Sequence, residues 1–202
     1  MQIDVLNEIS IVAAMRATTA LSKFLEIPFV VDMNPIEIKN INEIDSFDDH
    51  VASESKTVNL YIPILFGNNM SGASYFVFTP KDALLLCDIL LNKEEGTTQQ
   101  FNEIEKSALL EVANIVIGNF LTFFANSLQM NFIMHCSGEF YYSLFSLLVE
   151  QQLPMLAKNI EKYVVKLCFN FRFNCMKGYV VIIFDKDKID ALLESTLTTV
   201  NA

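Results

Sequence analysis

The polar residues of "EKSALLEVANIVIGNF" are the first candidates for chemistry in this sequence. Glu111 and Asn114 stand in a segment that is otherwise apolar almost throughout. A carboxylate can pair with a cation, and a carboxamide both donates and accepts hydrogen bonds without ionising. Glu103, Ser107, Glu111, Asn114, Gly118 and Thr122 follow one another at steps of four, four, three, four and four, which keeps them on one side of a helix. The residues between them are mostly Ala, Leu, Val, Ile and Phe and belong to a core-facing surface. An ordinary solvated face accounts for such a stripe. So does a binding or catalytic edge. A merely solvated face favours Lys, Arg and Glu, whereas this one holds an Asn and a Gly. A helical Gly costs about 1 kcal/mol relative to Ala, and it lets another surface come close. The residues alone leave both readings open.

Other constellations are poorer. The four cysteines, Cys87, Cys136, Cys168 and Cys175, form no Cys-x-x-Cys pair, and His50 and His135 are far apart, so no metal site is expected. His135–Cys136 reads as a strand-end His beside a buried Cys rather than a nucleophile. No Gly-rich phosphate loop and no Gly-x-Ser-x-Gly elbow occurs.

The elements that must position the stripe read as a duplication. Residues 3–26 have helical spacing, and residues 27–38 with Pro28 and Pro35 read as extended. Residues 40–57 form a polar loop. Strands at 58–66 and 73–79 make a hairpin around a turn at 67–72. A helix at 80–92 starts at Pro80, and the polar "KEEGTTQQ" is the expected boundary between halves. The order then repeats: a long helix over 102–127, a strand at 130–137 and an extra helix at 139–153. A hairpin of 163–174 and 178–184 and a closing helix at 185–197 complete the half. A shift of 103 pairs Leu6 with Leu109, Glu8 with Glu111 and Thr19 with Thr122, and a shift of 106 pairs Gly72 with Gly178 and Phe78 with Phe184. The expected fold is α+β with pseudo-twofold symmetry and a mainly antiparallel sheet. Residues 1–202 form a single domain of two repeats, about 1–98 and 99–202. The first-half counterpart of the stripe is Asp4, Glu8, Ile11, Met15 and Thr19, which keeps the Glu and puts Ile and Met where the second half has Asn and Gly.

Bulk properties narrow the class. With 52% hydrophobic and 19% charged residues the chain can build a sizeable core. A net charge of −10 with no basic run argues against nucleic acid as a partner. The acids of "MQIDVLNEIS" do not suit a secretory signal, and Glu111, Asn114 and Asn119 interrupt the longest apolar run. A soluble, cytoplasmic protein with no membrane partner is expected.

The duplicated pattern resembles the CheC/CheX/FliY family of chemotaxis phosphatases, which act on the phosphorylated response regulator CheY. That family's motif is an Asp or Ser, three residues, Glu, two residues and Asn, with a Pro twenty-three positions after the Asn. Ser107, Glu111 and Asn114 in "SALLEVAN" match it. Ser137 stands at the Pro position, and Ala113 replaces the common Gly before the Asn. In "DVLNEISIVAAM" Asp4 and Glu8 match the first copy, Ile11 replaces its Asn, and Pro35 falls one position late.

The resemblance implies a CheC-like fold with two long motif-bearing helices, and hydrolysis of the phosphoaspartate of a CheY-like response regulator. Under it Asn114 orients the attacking water and Glu111 docks on the partner's lysine, so Glu111 and Asn114 are the catalytic pair. Ser107 widens the contact and Gly118 permits close approach, with plain surface and packing roles standing beside these. Glu8 is at most a weak docking residue on an inactive first site. No cofactor of its own is implied, because Mg²⁺ comes with the partner. The alternative is a non-catalytic chemotaxis or flagellar-switch module that binds the receptor deamidase CheD or a response regulator.

Overall fold

The computed structural model describes residues 2–26, 31–33, 37–40, 56–66, 69–127, 133–134, 138–143, 162–171 and 176–200. Helix α1 (Gln2–Leu25) is followed by strands β1 (Val31–Met33), β2 (Glu37–Asn40), β3 (Thr57–Phe66) and β4 (Asn69–Phe78) and helix α2 (Pro80–Leu90). Helix α3 (Glu103–Ser127) opens the second half. It is followed by β5 (Ile133–Met134), β6 (Glu139–Ser143), β7 (Lys162–Phe171), β8 (Lys177–Asp185) and helix α4 (Lys186–Val200).

Alternation in the strands determines where the core lies. Val58, Leu60, Ile62 and Ile64 share one face of β3. The register sets them beside Phe78 and Phe76 of β4, which adjoin Val180, Ile182 and Phe184 of β8. These residues form one apolar cluster with Leu6, Ala13, Ala17 and Leu21 of α1, Leu86 of α2, Leu109, Val116 and Phe120 of α3 and Ile189 of α4. The four helices among the described residues therefore cover one face of a sheet whose eight described strands pair antiparallel throughout. The fold is α+β.

The duplication is visible in the hydrogen-bond register. Tyr75 of β4 pairs with Val181 of β8, which is its own counterpart at the 106-residue shift, so the local twofold passes through that pair. On either side Gly72 faces Phe184 and Phe78 faces Gly178. A Cβ on Gly72 would lie 2.7 Å from the carbonyl oxygen of Ile183 and 3.2 Å from the Phe184 ring. Glycine thus clears the space that the other half's Phe fills. The halves also exchange strands: β1 and β2 pair with β7, while β5 and β6 pair with β3.

Two expectations need correction. Residues 139–143 are a strand, not the start of a helix. Phe140 lies opposite Leu60 on the core face and meets Phe101 at 5.3 Å, while Tyr141 meets Tyr61 at 6.4 Å on the other face. The physical reason is that a short aromatic run fits a pleated sheet edge better than a helix once a neighbouring strand is there to pair with. The turn at 67–72 is also shorter, since β4 already starts at Asn69, with a register shift between Ile64 and Leu65. The remainder of the expected extra helix, 144–153, lies outside the described residues, as do His50, His135, Cys136, Ser137, Pro35 and most of the 40–57 loop.

Candidate functional site

Helix α3 begins at a built anchor, in a segment whose polarity suggests no more than a linker. Glu105 is buried in the first turn and its Oε2 accepts a hydrogen bond from the backbone N–H of Asn102 at 3.2 Å, the reaching-back half of a capping box. Its Oε1 receives the Lys93 ammonium at 2.9 Å. That ion pair is the main reason the Glu105 carboxyl is held below the usual carboxylate range. Near the end of α2, buried Asp88 accepts the backbone N–H of Gly96 at 2.7 Å, that of Thr98 at 2.9 Å and the Thr97 hydroxyl at 3.1 Å. Burial alone would raise the Asp88 pKa, but hydrogen bonds from Thr98, Gly96 and Thr97 outweigh it and lower it. "KEEGTTQQ" is therefore a loop wrapped around one buried carboxylate, and it delivers Lys93 to the N-terminus of α3. A signal for it exists in the chain: Asp88 interrupts the apolar "ALLLCDILL" eight residues before a Gly-Thr-Thr run.

Cys87 sits beside this anchor, with its Sγ 3.9 Å from the carbonyl oxygen of Glu105. Burial, with Glu105 and Asp88 adding to it, pushes the thiol up to about 12. A thiol so disfavoured as thiolate is a packing group, not a nucleophile. Among the described residues no three His, Cys, Asp or Glu side chains converge to hold a metal ion.

From the anchor the stripe runs along α3. Glu103, Ser107, Glu111 and Thr122 are exposed, while Asn114 and Gly118 are half-buried. The stripe is thus not uniformly outward, since its middle is half-buried, and α3 forms its most extensive helix–helix contact among the described elements with α1. By length and hydropathy α3 is apolar enough to cross a membrane, yet half of its most apolar window is buried inside the fold. Glu103 is tied to Lys106 at 2.8 Å. Glu111 has no ion pair among the described residues. Ser107 and Glu111 line a groove of about 580 Å³ that also takes Phe24 of α1 and Leu90 of α2. Gly118 lines a smaller recess of about 280 Å³ with Thr122, Phe123 and Arg16 of α1. The Arg16 guanidinium lies 4.4 Å from the centroid of the Phe123 ring.

Two of the three Asn side chains of α3 that follow Glu111 differ in what they do. Asn119 donates its Nδ2 to the carbonyl oxygen of Ile115 at 2.7 Å, so its amide is used by its own helix. The Oδ1 of Asn114 is buried and accepts no hydrogen bond from the described residues. Leaving a buried acceptor unpaired costs about 1–3 kcal/mol. Asn114 is therefore an amide held at a helix edge at some expense of stability.

The corresponding face of α1 is chemically different. Glu8 is exposed, as expected, but Ile11 is 45% and Met15 63% accessible. Val12 adds a third exposed apolar side chain, and the Thr19 hydroxyl is turned back to the carbonyl oxygen of Met15 at 2.8 Å. No carboxamide stands between Glu8 and Thr19 on this helix.

Residues 104–135 match the model of the CheC-like family, a span that begins in the first turn of α3 and ends just past β5. No curated protein sequence matches the chain significantly. Solved structures match in fold over nearly the whole length. FliY from Thermotoga maritima has a TM-score of 0.72 at 16% identity, covering 98% of this chain and 96% of that one. FliM in a FliM–SpeE complex from H. pylori has a TM-score of 0.64 at 16% identity, with 98% and 95% covered. A CheX–CheY–BeF3–Mg²⁺ complex from Borrelia burgdorferi has a TM-score of 0.51 at 18% identity, with 88% and 96% covered.

Proposed function

We propose that the chain is a member of the CheC/CheX/FliY family and a phosphatase that hydrolyses the phosphoaspartate of a CheY-like response regulator in the cytoplasm. The match of residues 104–135 to the CheC-like family model and the likeness in fold to FliY support this reading. The observation that carries this reading is the half-buried carboxamide of Asn114, whose buried oxygen is unpartnered among the described residues, on the same helix edge as the exposed carboxylate of Glu111. The amide turns outward to meet a water when the partner docks. The CheX relative was solved with CheY, BeF3 and Mg²⁺, which supports a response regulator as the partner.

In this reading the partner supplies the acyl phosphate, the Mg²⁺ and a lysine. Glu111 pairs with that lysine and sets the register of α3 on the partner surface. Asn114 holds a water in line with the phosphorus. A new P–O bond forms from the water, the bond between phosphorus and the Asp carboxylate oxygen breaks, and the proton leaves with inorganic phosphate or to solvent. Phosphoryl transfer is accelerated chiefly by positioning and electrostatics, so an amide and a carboxylate on a rigid helix suffice. The Asp88–Lys93–Glu105 anchor contributes that rigidity at the start of the helix. Ser107 adds a polar contact, and Gly118 leaves room for the partner backbone. The test is phosphate decay from a phosphorylated CheY-type regulator. Acceleration by the wild type and its loss in Asn114→Ala support the reading. Decay at the regulator's own rate with the wild type rejects it.

A second reading is a non-catalytic module that binds a response regulator or CheD in chemotaxis or the flagellar switch. It is favoured by the exposed Ile11, Val12 and Met15 and by a fold nearer to FliM than to CheX. Stable complex formation with no acceleration of decay, indifferent to Asn114→Ala, supports this reading over the first.

A further inference from the structure

The groove beside Glu111 is built by three helices, and its floor and rim differ in chemistry. Phe24 from the end of α1, Leu90 and Leu91 from the end of α2 and Ile104 from the first turn of α3 make the apolar part. Phe24 is 51% and Ile104 67% exposed, so two large side chains from different elements face the same opening of about 580 Å³. The polar part is Glu111, Ser107 and Glu103, and among the described residues only Glu103 has its charge matched, by Lys106.

We propose that this groove is the second anchor point of the phosphorylated response regulator. It receives a segment of the regulator's surface in which a large aliphatic or aromatic side chain adjoins a lysine or arginine. The inference rests on the phosphatase reading and extends the docking surface from a helix edge to a pocket. Charge decides the occupant. The chain carries −10, and the groove rim offers the Glu111 carboxylate, so a second copy brings more negative charge to an already negative site. A basic, apolar partner segment meets the rim with its cation and the floor with its side chain. The position decides the role. The groove shares Glu111 with the stripe, so a partner seated on one touches the other. Apolar contacts here persist from the bound substrate through the reaction and therefore act on affinity rather than on the chemical step.

The experiment uses the whole chain and a CheY-type regulator held in its activated state with beryllofluoride and Mg²⁺ for binding, or phosphorylated for turnover. Phe24→Ser with Ile104→Ser is the probe, because both side chains are exposed and circular dichroism checks that the fold survives. The expected result is binding weakened about tenfold or more, with KM raised to match and kcat at saturation unchanged. Ile104→Met alone should keep wild-type affinity. Asn114→Ala should do the reverse of the groove variant, keeping affinity and losing kcat. If the wild type binds and hydrolyses while the double variant binds as tightly, the groove is rejected and the phosphatase reading stands. If the double variant instead splits a wild-type dimer in sedimentation, the occupant is a second copy and the proposal is overturned. A wild type that neither binds the activated regulator nor speeds its decay overturns both.

Discussion

Helices α1 and α3 occupy equivalent places in a duplicated fold, yet their exposed edges have diverged. Both keep a Glu, at 8 and 111, and both bury an apolar side in one cluster, Ala- and Leu-rich in α1 and richer in Val, Ile and Phe in α3. The α3 edge then holds Asn114 and Gly118, where α1 shows Ile11 and Met15 to solvent. Core residues of the two halves face the same sheet, so they stay apolar while their sizes change, Ala13 and Ala17 of α1 standing where α3 has Val116 and Phe120. An exposed edge answers only to solvent and to whatever docks there, so it can change without cost to the core. The difference shows that duplication preserves a scaffold while the polar groups of an exposed edge can differ between its copies.

The comparison breaks most severely at Asn114. If the amide is the working group, Asn114→Ala should lower the acceleration of phosphate decay by about 100-fold or more, with stability unchanged or slightly improved because the unpartnered acceptor is removed. Single-turnover decay and a thermal melt read the two effects. A variant as active as the wild type would make the two helices functionally equivalent after all.

Removing the feature that the helices share should act differently. Glu111→Ala is expected to raise KM about tenfold with little loss of kcat, while Glu8→Ala should change neither, since α1 lacks the amide beside it. Equal effects of the two substitutions in steady-state assays would mean that both edges dock the partner.

A reconstruction sharpens the contrast. In an Asn114→Ala background, Ile11→Asn alone should stay at baseline, because the exposed Met15 stands where α3 has Gly118. Adding Met15→Gly should restore a measurable part of the activity, at about 1 kcal/mol of helix stability. Recovery from Ile11→Asn alone would show that Gly118 has no part in the approach.

The smallest expected effect concerns the anchor of α3. Asp88→Asn removes charge-assisted bonds to Gly96, Thr97 and Thr98 and should cost about 1–3 kcal/mol. The acid dependence follows from the same groups. Asp88 and Glu105 both have folded pKa values below their ordinary 3.8 and 4.5. Around those values the unfolded chain binds more protons than the folded one, so stability rises with pH there. The contribution is complete above the ordinary values and is lost as pH falls through the lowered ones. Melts between pH 3 and 6 should show a shallower acid loss in Asp88→Asn than in the wild type.

Much of the scaffold, and the stripe that makes the candidate site, are legible in the amino-acid sequence. The long helices are readable because apolar residues recur at helical spacing over many turns, and the stripe stands out as the exception to that spacing. The hairpins are readable from β-branched and aromatic runs broken by turn residues. "EFYYS" is ambiguous because five aromatic-rich residues suit a helix face and a strand edge alike, and only pairing with β3 decides between them. "KEEGTTQQ" has the polarity of a solvent-facing linker. Its order comes from Asp88, a buried acceptor whose partners arrive only when the loop closes on it.

Residue type and spacing along one chain are enough for the repeated scaffold, the shared Glu and the loss of the Asn in the first copy. Folding decides what spacing cannot carry. It crosses the strands of each half onto the hairpin of the other, and it sets Gly72 against Phe184 at the twofold. It sinks Asn114 to the depth at which its oxygen loses solvent, while the neighbouring Asn119 turns back to its own helix. Those outcomes depend on which surfaces meet, and a hydrogen bond made or left unmade is a property of the meeting, not of the residue.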